Sequence, residues 1–168
     1  SIISASAPDL LVTGLNVTTS PGPGVQSGAE LTIGWNVVNQ GNVAASSAFY
    51  DRIIIRNTNT AEVLLNTTLV YNPNQGTNGV ILAGGSRARQ LVFTLPDGPR
   101  SVGRIEISVG ADTFNNLPEH NGSGTGEANN SSQIQLPVVA RPYPDLVVTT
   151  VSGPLNGLPG QPVAVVWT

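Results

Sequence analysis

Apolar and polar residues alternate along most of this chain, and the alternation limits the fold more than any other feature of the sequence. In the segment 31–39, Leu31, Ile33, Trp35 and Val37 fall on the same side of an extended chain. Because successive side chains of a β-strand point to opposite faces, such a segment is typical of a strand with one buried face. We therefore predict that Trp35 lies in a core between two sheets.

The same alternation recurs elsewhere, and turn signals separate the segments that carry it. Candidate strands lie at 51–57, 62–71, 89–95, 104–111 and 132–139, and Pro137 is predicted to mark a sheet edge or a strand end. Turn sequences such as "SPGPG" and "NPNQGTNG" stand between the strands. No segment has the 3.6-residue period of a helix. Seven or eight short strands in about 130 residues predict an all-β, antiparallel sandwich of two sheets.

Composition excludes several classes of protein. The chain of 168 residues contains no cysteine, which excludes disulfides, thiolate metal sites and cysteine nucleophiles. The net charge is −3 and the seven basic residues are scattered arginines, whereas nucleic-acid binding needs a clustered basic patch. No apolar run reaches the roughly 18 residues of a membrane span. We therefore expect no nucleic-acid partner and no insertion into a membrane.

Two parts of the chain resemble each other, and this internal repeat predicts the domain boundaries. "PDLLVTGLNV" begins at Pro8 and "PDLVVTTVSG" at Pro144, while "SGAELTIGW" and "PGQPVAVVW" end at Trp35 and Trp167. The offsets of 136 and 132 residues are typical of whole domains in tandem rather than of solenoid units. The expected organisation is the end of a preceding linker at 1–7, a domain at 8–139, a proline-stiffened linker at 140–143 and the truncated start of a second repeat at 144–168.

The segment 144–168 holds only the first two strands of that second repeat. A lone hairpin is marginally stable in water. We therefore expect it to pack against the first domain or against another molecule. Because it copies the strands at 8–35, a strand-swapped dimer through 144–168 is one arrangement that we expect.

A set of short motifs follows in order along residues 8–139. The motifs are "PDL" at Pro8, "WNVVNQG" at Trp35, "DRIII" at Asp51, "AGG" at Ala83, "LP" at Leu95, and a tail of Asp112, Asn115, Glu119, Glu127, Asn129 and Asn130. In this order and spacing they resemble the CARDB family, the cell-adhesion-related domain found in bacteria. The resemblance implies an immunoglobulin-like sandwich that is repeated in large proteins, and an extracellular or cell-surface location.

The stretch "ADTFNNLPEHNGSGTGEANN" at 111–130 concentrates three of the ten acidic residues in one loop. Calcium prefers six to eight oxygen ligands, and the loop begins at the end of one strand and returns at the start of the next. We therefore predict a calcium site formed by Asp112, Asn115, Glu119, Glu127 and Asn130. The alternative is a solvated hairpin loop in which Asn and Asp side chains bond their own backbone.

Three further aspartates have structural interpretations. Asp51 and Arg52 precede an apolar strand that we expect to be central, and we predict that an ion pair or hydrogen bonds tie this strand to a loop; the alternative is a ligand-binding role. Asp9 and Asp145 stand where each repeat begins. An aspartate there either bonds the preceding linker, which would fix the angle between domains, or is a plain turn residue.

The sequence favours a protein that is not an enzyme. The only histidine, His120, lies in the glycine-rich loop, away from the rigid frame that a catalytic triad needs. We expect a structural or adhesive repeat of a large bacterial surface or secreted protein, stiffened by calcium. Its partners would be neighbouring repeats, another surface protein or a glycan. The alternative is a carbohydrate-binding or accessory module of a secreted hydrolase, although the aromatic residues are scattered along the sequence.

Overall fold

The structure is a computed structural model that describes residues 6–20 and 24–168. Most of the expected linker at 1–7 and the centre of the "SPGPG" turn lie outside these described residues. No helix long and apolar enough to cross a membrane occurs in this part of the chain. The elements are β1 (Leu10–Ser20), β2 (Val25–Gln26), β3 (Glu30–Asn39), β4 (Phe49–Asn57), β5 (Glu62–Tyr71), β6 (Ser86–Thr94), a 3-10 turn (Pro99–Ser101), β7 (Gly103–Gly110), β8 (Ser131–Val139), β9 (Val151–Ser152) and β10 (Val166–Trp167).

Strands β1 to β8 form two facing sheets, which confirms the predicted all-β sandwich of seven to eight strands. One sheet has the order β1-β3-β6 and the other the order β2-β8-β7-β4-β5. The pairs are antiparallel, except that β2 runs parallel to the end of β8. Pro137 lies in β8, next to the two residues that pair with β2. Because β2 is so short, this side of β8 has few ladder hydrogen bonds, and the N–H that proline lacks is not needed there.

The core lies between the two sheets, and the period-two pattern determines which side chains enter it. Trp35 is 2% exposed, as predicted, and its neighbours on the inner face of β3 are fully buried. Strands β4 and β7 contribute their inner faces from the opposite sheet. The buried apolar side chains of these three strands are Leu31, Ile33, Trp35, Val37, Phe49, Ile53, Ile55, Ile105, Ile107 and Val109.

An ion pair inside the sandwich joins the two sheets near the start of β4. Asp51 in β4 is fully buried, and its Oδ2 accepts a 2.8 Å hydrogen bond from Nε of Arg89 in β6. Burial raises the pKa of Asp51 above its usual range, while Arg89 and the Trp35 indole oppose the rise. The prediction that Asp51 and Arg52 bond a loop was wrong about their partners, which lie in strands. Asp51 binds the facing sheet, and Arg52 Nε donates to Asn66 Oδ1 in β5.

Arg89 also closes the side of the sandwich beside β5. Its Nη2 donates 3.0 Å hydrogen bonds to the carbonyl oxygens of Leu69 and Val70. Its guanidinium carbon lies 5.2 Å from the ring centroid of Tyr71, which in turn stacks on Phe49. One side chain of β6 therefore binds both β4 and β5.

The segment 144–168 does not pack against the sandwich. Every residue from 144 to 168 is exposed, including Leu146, Leu155 and Trp167. The segment forms its own ribbon, in which Val166 pairs with Ser152, and in which Thr149 N donates to Thr168 O at 2.7 Å. The strand-swapped dimer through this segment stays a prediction.

Removal of the Arg89 charge is expected to destabilise the fold strongly. The variant Arg89→Met leaves the buried Asp51 carboxylate without its cation, which should lower the free energy of unfolding by about 3–5 kcal/mol. Urea unfolding at pH 7 measures the loss, and Arg56→Met, at an exposed position of β4, is the control. Replacement of both partners, Arg89→Met with Asp51→Leu, should recover most of the stability. A loss below about 1 kcal/mol for the single variant, the range of an exposed pair, would contradict this account.

Candidate functional site

The start of the domain is held by the end of β3. The side-chain oxygen of Asn39 accepts hydrogen bonds from the backbone N–H groups of Asp9, at 3.1 Å, and Gly41, at 3.0 Å. Its amide nitrogen donates to the carbonyl oxygens of Val43 and Ile81. Asn39 is fully buried, so these four bonds satisfy a polar group that would otherwise be costly in the interior.

Gly41 lets two backbone segments approach each other closely. A Cβ atom at this position would lie 2.4 Å from the carbonyl oxygen of Ala7 and 2.6 Å from the backbone nitrogen of Asp9. No larger residue fits without movement of the backbone. The glycine of the "WNVVNQG" motif is therefore required by the path of the "PDL" motif beside it.

The loop 111–130 binds the same segment from the other side. The carboxylate of Glu119 accepts a hydrogen bond from the backbone N–H of Leu10, and the N–H of His120 donates to the carbonyl of Pro8 at 3.1 Å. The Asp9 carboxylate accepts hydrogen bonds from Nδ2 of Asn129, at 2.9 Å, and from Nδ2 of Asn121, at 3.3 Å. We name this group the N-terminal clamp; its members are Asp9, Leu10, Asn39, Glu119, Asn121 and Asn129.

Asp9 has hydrogen-bond partners that neither interpretation of the sequence indicated. Its side chain bonds neither the preceding linker nor its own turn, in the contacts that the structure describes. It bonds residues more than one hundred positions away, and it is 5% exposed. Its repetition in both "PDL" motifs was the one available signal, and that signal indicated a role at the domain start without indicating the partner.

Asp112 builds a turn with the backbone that follows it. Its Oδ1 and Oδ2 accept 2.8 Å hydrogen bonds from the backbone N–H groups of Asn116 and Leu117. Asp112 itself has φ 45°, in the left-handed region that Asp and Asn tolerate best among residues with a side chain. The turn buries Leu117 against the core and leaves Asn115 exposed.

The remaining predicted calcium ligands are linked to one another. Asn130 Nδ2 donates to Glu119 Oε1 at 2.9 Å, and Glu127 Oε1 accepts a 2.7 Å hydrogen bond from the backbone N–H of Glu119. A Cβ at Gly126 would lie 2.9 Å from the backbone nitrogen of His120, so glycine is needed where the loop folds back. The structure thus brings Glu119, Glu127 and Asn130 into contact, whereas Asp112 serves its own turn.

As a metal site, the loop has a mixed donor set. In residues 6–20 and 24–168, no three Asp, Glu or His side chains are grouped so that they could hold a metal ion. Most of the carboxylate oxygens face N–H donors, as the preceding hydrogen bonds show. However, the side-chain oxygens of Asn129 and Asn130 are buried and have no hydrogen-bond partner. These two oxygens are the kind of neutral ligand that calcium accepts.

The loop carries negative charge that its protein neighbours do not compensate. Burial raises the pKa of Glu119 to about 7, and the nearby Glu127 and Asp112 carboxylates add to the rise. Hydrogen bonds from Leu10 N and Asn130 Nδ2 oppose it without cancelling it. Near neutral pH, either a proton on Glu119 or a bound cation would relieve the repulsion.

The stability of the domain should therefore depend on pH through Glu119. The ordinary pKa of the group is 4.5, and its pKa in the folded state is about 7. Between these two pH values, Glu119 is mostly protonated in the folded state and mostly ionised in the unfolded state. Stability falls as pH rises through this window, by about 3 kcal/mol in total.

The variant Glu119→Gln should remove this dependence. The buried oxygen of Asn130, which lacks a partner, can accept the new amide N–H after the Asn130 amide turns over. Urea unfolding of both proteins at pH 5, 6, 7 and 8 gives the difference in slope. Asp51, whose pKa is also raised, is present in both proteins, so its contribution to the pH dependence cancels in the difference. Equal slopes for the two proteins would show that Glu119 does not titrate in this way.

Comparison with known proteins identifies the fold. No family model matches the chain, and no curated protein matches it. The crystal structure of the CARDB domain of the PF1109 protein from Pyrococcus furiosus, in complex with di-metal ions, has 21% identity and a TM-score of 0.50, and the match covers 82% of this chain and 99% of that chain. The solution NMR structure of the same domain has 20% identity and a TM-score of 0.49, covering 82% and 100%.

A partial likeness to an enzyme chain also occurs. β-Glucosidase 3B from Thermotoga neapolitana, in complex with α-D-glucose, has 15% identity and a TM-score of 0.42, and the match covers 76% of this chain but 16% of that chain. The resemblance to the CARDB family that the motifs indicated is confirmed at the level of fold. The chain has a CARDB-like, immunoglobulin-like β-sandwich fold.

Proposed function

We propose that this chain is a non-catalytic structural repeat of a larger bacterial protein, located outside the cell or on its surface, in which the path of the chain is fixed at both ends of each sandwich. The N-terminal clamp carries this proposal. Its buried hydrogen bonds hold the backbone of Pro8–Leu10, where the chain enters the domain, between β3 and the loop 111–130. In a tandem array, such a clamp determines the direction in which one domain follows another.

A second set of contacts holds the chain where it leaves the sandwich. The N–H of Arg141 donates to the hydroxyl of the buried Ser27 at 3.1 Å, and that hydroxyl donates to Asp97 at 3.3 Å. The Tyr143 hydroxyl also donates to Asp97, and this bond is the main cause of the lowered pKa of Asp97. We name these four residues the C-terminal latch.

The clamp and the latch lie at opposite ends of the sandwich. Leu10 pairs with Asn39 at one end of the β1–β3 ladder, and Ser20 pairs with Glu30 at the other end, beside the latch. A chain that is held at both ends transmits tension and orientation along its length. This geometry supports a rod-like or spacing role, with adhesion as the role of the array to which the domain would belong.

The pairing of the C-terminal ribbon supports the tandem arrangement. Val166 pairs with Ser152. At the offsets of the repeat, this is the counterpart of the pair formed by Gly34 and Asn16 in the first domain. The second segment therefore forms the same β1–β3 register as the first. Only the residue between Tyr143 and Asp145 separates the latch of one domain from the "PDL" aspartate of the next.

The environment of the acidic residues supports a role without catalysis. A pair of carboxylates that performs acid–base hydrolysis must face a substrate across an open cleft. Here Asp112, Glu119 and Glu127 accept hydrogen bonds from backbone N–H groups of their own loop or of Leu10. Their chemistry is used to order the backbone.

The latch can be tested by the mobility of the linker. In ¹⁵N relaxation measurements, the amides of 141 and 143 should have order parameters near the value of about 0.85 that rigid backbone shows. The variant Tyr143→Phe removes only the hydroxyl and should lower them toward about 0.6. Phe114→Ala, at the opposite end of the sandwich, is the control. Order parameters already below about 0.6 in the unaltered protein would contradict the proposal of a fixed exit.

We also propose that calcium stiffens the clamp end, because a cation would offset both the burial and the neighbouring charge that raise the pKa of Glu119. The partnerless oxygens of Asn129 and Asn130 support this, and the PF1109 domain was crystallised with di-metal ions.

At pH 8, where Glu119 is ionised, 1–5 mM calcium should raise the melting temperature by about 4–8 °C relative to EGTA. Glu119→Gln should reduce the rise. An unchanged melting temperature in the unaltered protein would remove calcium from the account and leave the clamp and latch in place.

A further inference from the structure

Two aromatic residues that are far apart in the sequence form an exposed pair on the outer face of the five-stranded sheet. The rings of Tyr50 and Phe114 lie edge to face, with centroids 5.4 Å apart and an interplanar angle of 68°. Phe114 is 60% exposed and Tyr50 is 37% exposed. The other two tyrosines are elsewhere, because Tyr71 is buried in the core and Tyr143 belongs to the latch.

The backbone around Phe114 holds the ring outward. Phe114 lies between Asp112 and Asn115, which have φ values of 45° and 51°. The N–H of Thr113 donates to the carbonyl of Tyr50 at 2.9 Å, and the Asp112 carboxylate caps the two residues that follow Asn115. Left-handed backbone costs free energy at residues with a side chain, and such strain concentrates at functional sites. The exposure of Phe114 therefore results from an ordered turn.

Phe114 forms one wall of a groove with polar side chains of β4 and β5. The groove has a volume of about 450 Å³ and is lined by Arg52, Asn66, Thr67, Thr68 and Phe114. Its size is in the range of sites that hold small ligands. Arg52 Nε donates to Asn66 Oδ1 at 3.0 Å, which fixes both planar groups before any ligand arrives.

Beside the groove, a row of small and polar residues crosses the sheet. Thr68, Arg52, Gly110 and Ser131 are opposite one another in the ladders of β5, β4, β7 and β8. A Cβ added at Gly110 would meet only the Cβ of Ser131, at 3.9 Å, so the floor of this row is open. The row places an open polar surface several strands wide beside the groove, which suits an extended ligand more than a compact one.

We propose that this groove binds the neutral sugar rings of a polysaccharide, with Phe114 stacked on one sugar face and with Arg52, Asn66 and Thr68 bonded to its hydroxyl groups. The C–H face of a pyranose packs on an aromatic ring, and its hydroxyls match amide, hydroxyl and guanidinium groups. This site goes beyond the proposed structural role and does not depend on it.

The composition of the groove disfavours the other large classes of partner. A stable protein interface buries about 800 Å² per partner around a centre of several anchors, whereas this surface presents one well-exposed ring. Nucleic acid requires a basic patch, but Arg56 on the same face pairs in the ladder with the acidic Glu106. A neutral saccharide needs one ring and a polar rim, which the groove supplies.

The test is an NMR titration of the ¹⁵N-labelled chain with cellohexaose, xylohexaose and mannohexaose, each to about 10 mM. At least one probe should shift the amides of 52, 66, 68 and 114. Phe114→Ala should weaken that binding at least about tenfold, and Phe114→Tyr should retain it. Val92→Ala, at a 51% exposed position on the other sheet, is the matched control and should leave affinity unchanged.

Three outcomes would overturn the proposal. They are the absence of shifts with all three probes, shifts that are centred on other residues, and equal affinity in Phe114→Ala and the unaltered protein. Thr68→Val keeps the shape of an exposed strand residue and removes one hydroxyl, so it separates loss of binding from loss of folding. A spectrum of Phe114→Ala that is dispersed like that of the unaltered protein shows that the sandwich is intact.

Discussion

The burial of Asp9 between Asn39 and the loop 111–130 is the interaction on which the rest of the domain depends. A buried carboxylate is stable only when hydrogen bonds replace its lost hydration. Asn121 and Asn129 supply those bonds, and Glu119 binds the adjacent backbone N–H. The first strand, the end of β3 and the long loop are thereby held in one arrangement. The same bonds explain why acidic and amide residues are concentrated in one loop of a chain with few charges.

The concentration of acidic residues makes the stability of the clamp depend on protonation or on a bound cation. Burial, together with the nearby Glu127 and Asp112 carboxylates, raises the pKa of Glu119, so the clamp is strongest when a proton or a cation is present. Among the described residues, the opposite end has no such cluster, and its latch uses hydroxyl groups and a single exposed carboxylate. In a tandem array of such domains, each junction would join a latch to a clamp. Near neutral pH, the stability of the clamp would depend on protonation or a bound cation, whereas that of the latch would not.

Much of the fold could be predicted because alternation is local information. The inward faces of Leu31 to Val37 and of Ile105 to Val109 follow from a period of two, which does not depend on the partner strand. The partners of buried polar groups could not be predicted in this way. Asp51 bonds Arg89 of the facing sheet, and Asp9 bonds Asn129, which is 120 residues away in the sequence. Tertiary structure, including the path of the loops, determines which of these side chains come into contact. The Tyr50–Phe114 pair escaped prediction for the same reason.

A double-mutant cycle between Asp9 and Asn129 tests the central claim most directly. The free energies of unfolding of Asp9→Ala, Asn129→Ala and the double variant are compared with that of the unaltered chain at pH 7. A hydrogen bond to a buried carboxylate predicts a coupling energy of about 1.5–3 kcal/mol. The pair of Asp9 and Gln133, an exposed residue of β8, should be uncoupled within about 0.5 kcal/mol. A coupling energy near zero for Asp9 and Asn129 would show that the clamp does not hold the domain together.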